Sequence, residues 1–210
     1  FVKSMKIIDL NSWNRKEIYN HFIGLTDPFV AVVVELDVTK AYKTAKTEQT
    51  SFFSKYLHAT MQAVNQIPNL KIRLIDEQIV AYDTVHVSVT IPGPDHTFGF
   101  SFVEFSDDFK LFTYRLNAEK ERIVNSTNLF PMQKTSLDVI YCSALPWINF
   151  SSHKEPFNSS KDSVPKIAFG KYFEHDGRKK MNISLNVNHA FVDGFHMGQF
   201  FESLQHYLDL

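Results

Sequence analysis

Met181-Asn-Ile-Ser-Leu-Asn-Val-Asn188, followed at once by His189-Ala-Phe-Val-Asp193-Gly194-Phe195-His196, is the stretch on which the fold turns. Met181, Ile183, Leu185 and Val187 alternate with Asn182, Ser184, Asn186 and Asn188, which predicts a strand with one apolar face. By the same period of two, His189 falls on the apolar side. Partial desolvation there disfavours the imidazolium and keeps the ring neutral near about pH 7, where it can accept a proton as a general base. Asp193 and Gly194 stand at a strand-to-helix turn, the first as a helix cap and the second permitting a tight backbone. A helix from about Gly194 to Leu208 is expected, with Met197, Phe200, Phe201, Leu204 and Leu208 as its apolar stripe. From spacing alone, His189 and Asp193 read equally well as a catalytic base with its support and as a satisfied core histidine beside an ordinary cap.

Upstream, Lys180–His189 and Pro165–Glu174 form a hairpin pattern around Asp176-Gly177. Val30, Val32, Val34, Leu36 and Val38 alternate with Glu35 and Asp37, a second half-buried strand. Helices are expected over Ser51–Ile67, ended by Pro68, and over Asp107–Asn125. Another begins near Ser12-Trp-Asn-Arg-Lys-Glu17, where Asn14 and Glu17 have capping-box spacing. Strands are expected at Lys71–Ile75, Gln78–Tyr82, Thr84–Ile91, Thr97–Phe105 and Val139–Ala144. Without regular βαβ alternation, the elements suggest one large sheet with helices on one face. Neither GxGxxG nor GxxxxGK[ST] occurs.

The 210 residues point to a single domain over 1–210, with 44% apolar and 21% charged residues, close to the soluble globular average. Lysine plus arginine is 22 against 23 acidic residues, which offers no phosphate-neutralising surface; nucleic acid is not an expected partner. The lone Cys142 favours a reducing compartment, and its apolar strand favours packing over nucleophilic duty. No run approaches the ~20 apolar residues of a membrane helix, and Phe1–Leu10 has no long apolar core; a soluble cytoplasmic protein is expected. His196 falls on the polar side of the last helix, and His58 and His206 look like helical surface positions. No histidines have convincing zinc spacing, so no metal site is expected.

Asn188-His-Ala-Phe-Val-Asp-Gly-Phe-His196 resembles the HHxxxDGxH signature of the chloramphenicol acetyltransferases. Ser12-Trp-Asn-Arg-Lys-Glu17 resembles that family's W-x-R-[KR]-E helix start, and Ser143-Ala-Leu-Pro-Trp-Ile-Asn-Phe150 its S-x-x-P-W-x-x-F segment. Leu129-Phe-Pro131 and Gly170-Lys-Tyr172 match in the same order. The shorter His-x-x-x-Asp-Gly element is shared with dihydrolipoyl acyltransferase cores and peptide-synthetase condensation domains. The resemblance implies an α/β (α+β) two-layer sandwich, a large mixed sheet covered by helices, in a homotrimer with interfacial active sites. It implies acetyl-CoA as co-substrate with no tightly bound cofactor, and a small-molecule hydroxyl as acceptor. His189 would be the general base and Ser143 the oxyanion donor. Asp193 and Arg15 would be the buried pair holding the catalytic loop. Trp147, Lys171 and Tyr172 would lie near coenzyme A, and Phe22, Phe98, Phe130 and His153 would line the acceptor pocket.

Several positions depart from the family pattern. Asn188 replaces the first histidine, Ala168 a usual threonine, Phe22 a usual tyrosine and His21 a common phenylalanine. His153-Lys-Glu155-Pro-Phe157 replaces an apolar F-x-L-x-V stretch, and polar residues there imply a polar acceptor. A different acceptor, or a trimeric binder impaired in turnover, is the alternative these changes raise.

Overall fold

A computed structural model describes residues 5–126 and 137–210. The Met181–Asn188 alternation lies in β10 (Arg178–Asn188), which is next to the edge strand of a mixed sheet of seven strands among the described residues. β2 (Phe29–Asp37) flanks it on one side, antiparallel from Lys180↔Asp37 to Asn188↔Phe29. On the other side lie β8 (Lys166–Phe169), then β7 (Val139–Ala144), β5 (His86–Pro92) and β6 (Phe98–Phe100). β8, β7 and β5 run parallel to one another, whereas β6, β10 and β2 pair antiparallel.

One face of the sheet carries Val87, Val89, Ile140, Cys142, Ile167, Phe169, Ile183, Leu185 and Val187, all buried in one core cluster. Over it lie α3 (Phe52–Gln66) and α5 (Gly194–Leu208), joined by α1 (Lys16–Ile23), α2 (Thr39–Thr47) and α4 (Phe109–Val124). Tyr56 of α3 meets Phe169 of β8 with ring centroids 4.8 Å apart. α4 starts where Asp108 accepts from the Lys110 and Leu111 N–H groups.

The opposite face is polar, and the segment after β7 crosses it as a strap. Asn182 donates to Asn149 Oδ1 and Phe150 O, Ser184 meets His153, Asn186 accepts from Glu155 N–H, and Asn188 donates to Ser160 O and Asp162 O. The polar half of the β10 alternation therefore holds a strap and is not a solvated surface. Phe157 anchors it, stacked on Phe29 at 3.6 Å with the Lys166 ammonium 3.7 Å from its ring.

Some expectations are corrected. The single sheet becomes two, because β1 (Met5–Ile7), β3 (Ile72–Ile75) and β4 (Gln78–Tyr82) form a separate three-stranded sheet. Arg73 ties it to the main sheet: its buried guanidinium donates to the carbonyls of Leu70, Ile72, Leu137 and Val139. The strand expected over Thr97–Phe105 pairs only at Phe98–Phe100, with an isolated bridge at Val103. The expected hairpin is interrupted: β8 ends at Phe169, and only β9 (Phe173–His175) closes on β10 through the turn at Asp176 and Gly177, both at positive φ. α2 had no counterpart in the sequence reading, since its apolar positions, Ala41 and Ala45, are small. α1 lacks the Asn14–Glu17 box; Arg15 precedes its first turn with no side-chain cap. His58 is buried against Phe105, Phe109 and Phe112, with Nε2 2.9 Å from Ser106 O.

Candidate active site

β10 ends at Asn188, and the next residue is His189. Its N–H still reaches Pro28 O at 2.8 Å, so the backbone leaves the strand in a defined direction. Asn188 tightens the following turn by accepting from the Ala190 N–H at 3.0 Å, while its amide grips the strap. This double duty accounts for a buried asparagine beside the histidine. The His189 ring lies flat on Phe22 of α1, centroids 4.0 Å apart and planes 6° from parallel. Its Nδ1 is buried with no hydrogen-bond partner among the described residues. The aromatic face therefore fixes the ring plane, and Nε2 is the nitrogen through which it can work.

Four residues on, Asp193 caps α5. Its Oδ1 accepts from Phe195 N–H at 3.1 Å and lies 2.9 Å from His196 Nδ1; its Oδ2 takes Arg15 Nη1 at 2.6 Å. His196 also closes the capping box, its Nδ1 3.3 Å from Asp193 N–H, so its half-buried ring is part of the turn and not the polar-face position expected. Burial opposes ionisation of Asp193, but Arg15 and His196 outweigh it and hold the carboxyl below its ordinary range. Burial lowers His196. Arg15 and Phe22 lie at opposite ends of α1, ~10 Å apart by helical rise. One short helix thus clamps this turn twice, at Asp193 and at His189.

Ser143 lies far from this turn. It is half-buried on the polar face near the end of β7, in register with Ala168, which is in register with Ser184. Two strand spacings across and five residues along β10 separate it from His189, a Cα distance of roughly 19 Å. Side chains cannot close that gap within one chain. Phe98 shares the polar face through β6, half-exposed and edge-on to Phe100. His153 reaches the same face on the strap. Phe130 lies outside the described residues.

Beyond Ser143 the chain turns at 145–149, beside the end of β8. Leu145 N–H bonds Phe169 O and Lys171 N–H bonds Ile148 O, both at 2.8 Å, which brings Trp147, Lys171 and Tyr172 to one end of the sheet. Gly170 suits the close approach there: a Cβ would stand 3.1 Å from Asn182 O and 3.3 Å from Ile148 O, a tight fit against two backbone carbonyls. Tyr172 packs against Tyr42 and Phe52, and the Tyr42 hydrogen bond raises its hydroxyl above the ordinary range. Trp147 is 73% exposed and borders a cleft of about 410 Å³ reaching between α3 and α4. Its walls include Phe53, Tyr56, Ile91 and Pro146, and among the described residues Lys120 is the one cation that lines it. Phe53, Tyr56 and Lys120 were not singled out from the sequence, where they read as helix faces.

The chloramphenicol acetyltransferase family model matches residues 3–205. A chloramphenicol acetyltransferase of Escherichia coli is 28% identical over 204 residues, covering 96% of this chain and 93% of its own. One from Bacillus pumilus is 29% identical, covering 95% and 91%. A solved chloramphenicol acetyltransferase superposes with a TM-score of 0.88 at 26% identity, over 98% of this chain and all of the other. A probable dihydrolipoamide acetyltransferase from Listeria monocytogenes, at 15% identity and TM-score 0.67, shares the fold. With a histidine clamped at the end of β10 and a match along almost its whole length, this chain belongs to the chloramphenicol acetyltransferase family of acyltransferases.

Proposed function

We propose that this protein transfers the acetyl group of acetyl-CoA to a hydroxyl of chloramphenicol or a related small alcohol, in the cytoplasm, at sites shared between copies of a homotrimer. The observation that carries the reading is the His189 ring, pinned on Phe22 with Nδ1 buried, so that Nε2 is left to take the acceptor proton. The acceptor oxygen attacks the thioester carbonyl as His189 removes its proton. Ser143 donates to the tetrahedral oxyanion, and the thiolate of coenzyme A departs, recovering the proton from His189. A positioned base contributes ~10²–10⁴-fold and a preorganised oxyanion donor roughly 3–4 kcal/mol.

Because His189 and Ser143 lie roughly 19 Å apart by strand geometry, a working site needs His189 of one copy and Ser143 of the next. The cleft beside Trp147 supports entry of the acyl donor on the helix side of the sheet end, the end that also carries Lys171 and Tyr172. The polar face, with Phe98 and His153, takes the acceptor. Ala168, beside Ser143, supplies no hydroxyl of its own to orient a water, which supports slower turnover.

The test is thiol release from acetyl-CoA with chloramphenicol, comparing wild type, His189→Ala and Ser143→Ala. Each variant alone is expected to lose ~10²-fold or more. Co-expressed, the two variants should recover about a quarter of wild-type activity, since each interface draws its two residues independently. Equal rates for wild type and His189→Ala overturn the assignment of the base. No recovery on mixing overturns the shared site, and ligand binding without product from any hydroxyl acceptor favours a binder.

A further inference from the structure

The strap presents two ionisable side chains to the polar face, and they are held from below. His153 Nδ1 is 3.1 Å from Ser184 Oγ, and the Glu155 N–H bonds Asn186 Oδ1 at 3.2 Å. Both side chains are about four-fifths buried, at 18% and 16% exposure, with His153 Nε2 3.6 Å from Glu155 Oε1. Ser184 is in register with Ala168 and Ser143, so His153 stands two strands, ~10 Å, from the oxyanion donor on the same face.

Charge on this face does not balance. Lys166 is bound to Asp162 Oδ2 at 2.9 Å and to Pro156 O at 2.6 Å, its ammonium resting on Phe157; it senses Glu155 only at a distance. Lys154 points outward to Asp27. Among the described residues the Glu155 carboxylate has no lysine or arginine partner, only the imidazole at 3.6 Å. Burying a carboxylate without a fixed cation is costly, and a bound cation offsets that cost. Resting on the acetyl-transfer reading above, we propose that Glu155, backed by His153, selects an acceptor carrying a protonated amine within ~10 Å of the hydroxyl that is acetylated.

The probes are chloramphenicol and the amino-diol obtained by removing its N-acyl group, N,N-dimethylated so that only oxygen can be acetylated. Wild type should favour the cationic compound at least ~10-fold in kcat/KM and in calorimetric Kd. Glu155→Gln should bring both ratios near unity, Glu155→Asp should keep most of the preference, and His153→Phe should reduce it. Preference unchanged in Glu155→Gln, or wild type favouring the neutral compound, overturns the proposal. If no acceptor is acetylated while the Kd preference and its loss in Glu155→Gln persist, the acetyl-transfer reading fails and this one stands. Transfer without preference has the opposite meaning.

Discussion

Removing one partner of the Arg15–Asp193 pair should cost very different amounts depending on which partner goes. The Arg15 side chain is 10% exposed and that of Asp193 27%, and the guanidinium already has Nε and Nη2 buried without partners among the described residues. Asp193→Ala removes the α5 cap, about 1 kcal/mol, and strips the last acceptor from a buried cation, about 3 kcal/mol more. Arg15→Met leaves a carboxylate that keeps the Phe195 N–H and the His196 contact and still meets water, so about 1–2 kcal/mol is expected. The double variant should fall short of the sum by about 2 kcal/mol, because the stranded guanidinium is gone. Urea midpoints at fixed protein concentration and unchanged slope measure this. Arg15→Met costing as much as Asp193→Ala, or single effects adding within ~0.5 kcal/mol, would refute the picture of a buried cation held by one carboxylate.

Phe22→Ala frees the face of His189, and a stacked ring pair contributes about 0.5–1.5 kcal/mol, so kcat should fall up to ~10-fold while Phe22→Tyr retains it; equal kcat in all three proteins would show that stacking does not orient the base. Burial opposes ionisation of Asp37, yet bonds from Thr39 and Arg178 and the charge of Lys180 hold its carboxyl at about 2, below the unfolded value of 3.8. Its contribution is therefore fully present above about pH 4 and lost as pH falls toward 2; Asp37→Asn should remove about 1–2 kcal/mol at neutral pH and flatten the denaturation midpoint across that window.

How much could be read in advance depends on the range of each interaction. β10, β2, α3, α4 and α5 announced themselves because burial of one face imposes its period on the residues. α2 and β1 did not: two alanines make a faint stripe, and β1 is three exposed residues whose pairing with β4 lies more than seventy positions away; β3 and β4 were legible as strands, but not their separation into a second sheet. His58 and His196 were misplaced for a related reason, since helical phase says which way a side chain leaves its helix but not what the rest of the chain lays over it.

The order of residues alone determined that a histidine ends an apolar strand row, that Asp193 caps the following helix, and that Arg15, Ser143 and Trp147 stand in the family's sequence. These are local patterns, written by strand period, turn chemistry and motif spacing. Only the tertiary structure decided that α1 clamps the turn at both ends, that the polar residues of β10 hold a strap bearing Glu155, and that His189 and Ser143 stand at opposite ends of one sheet. Strand order and register set those relations. They arise from pairings between segments far apart in the chain, which no local periodicity encodes.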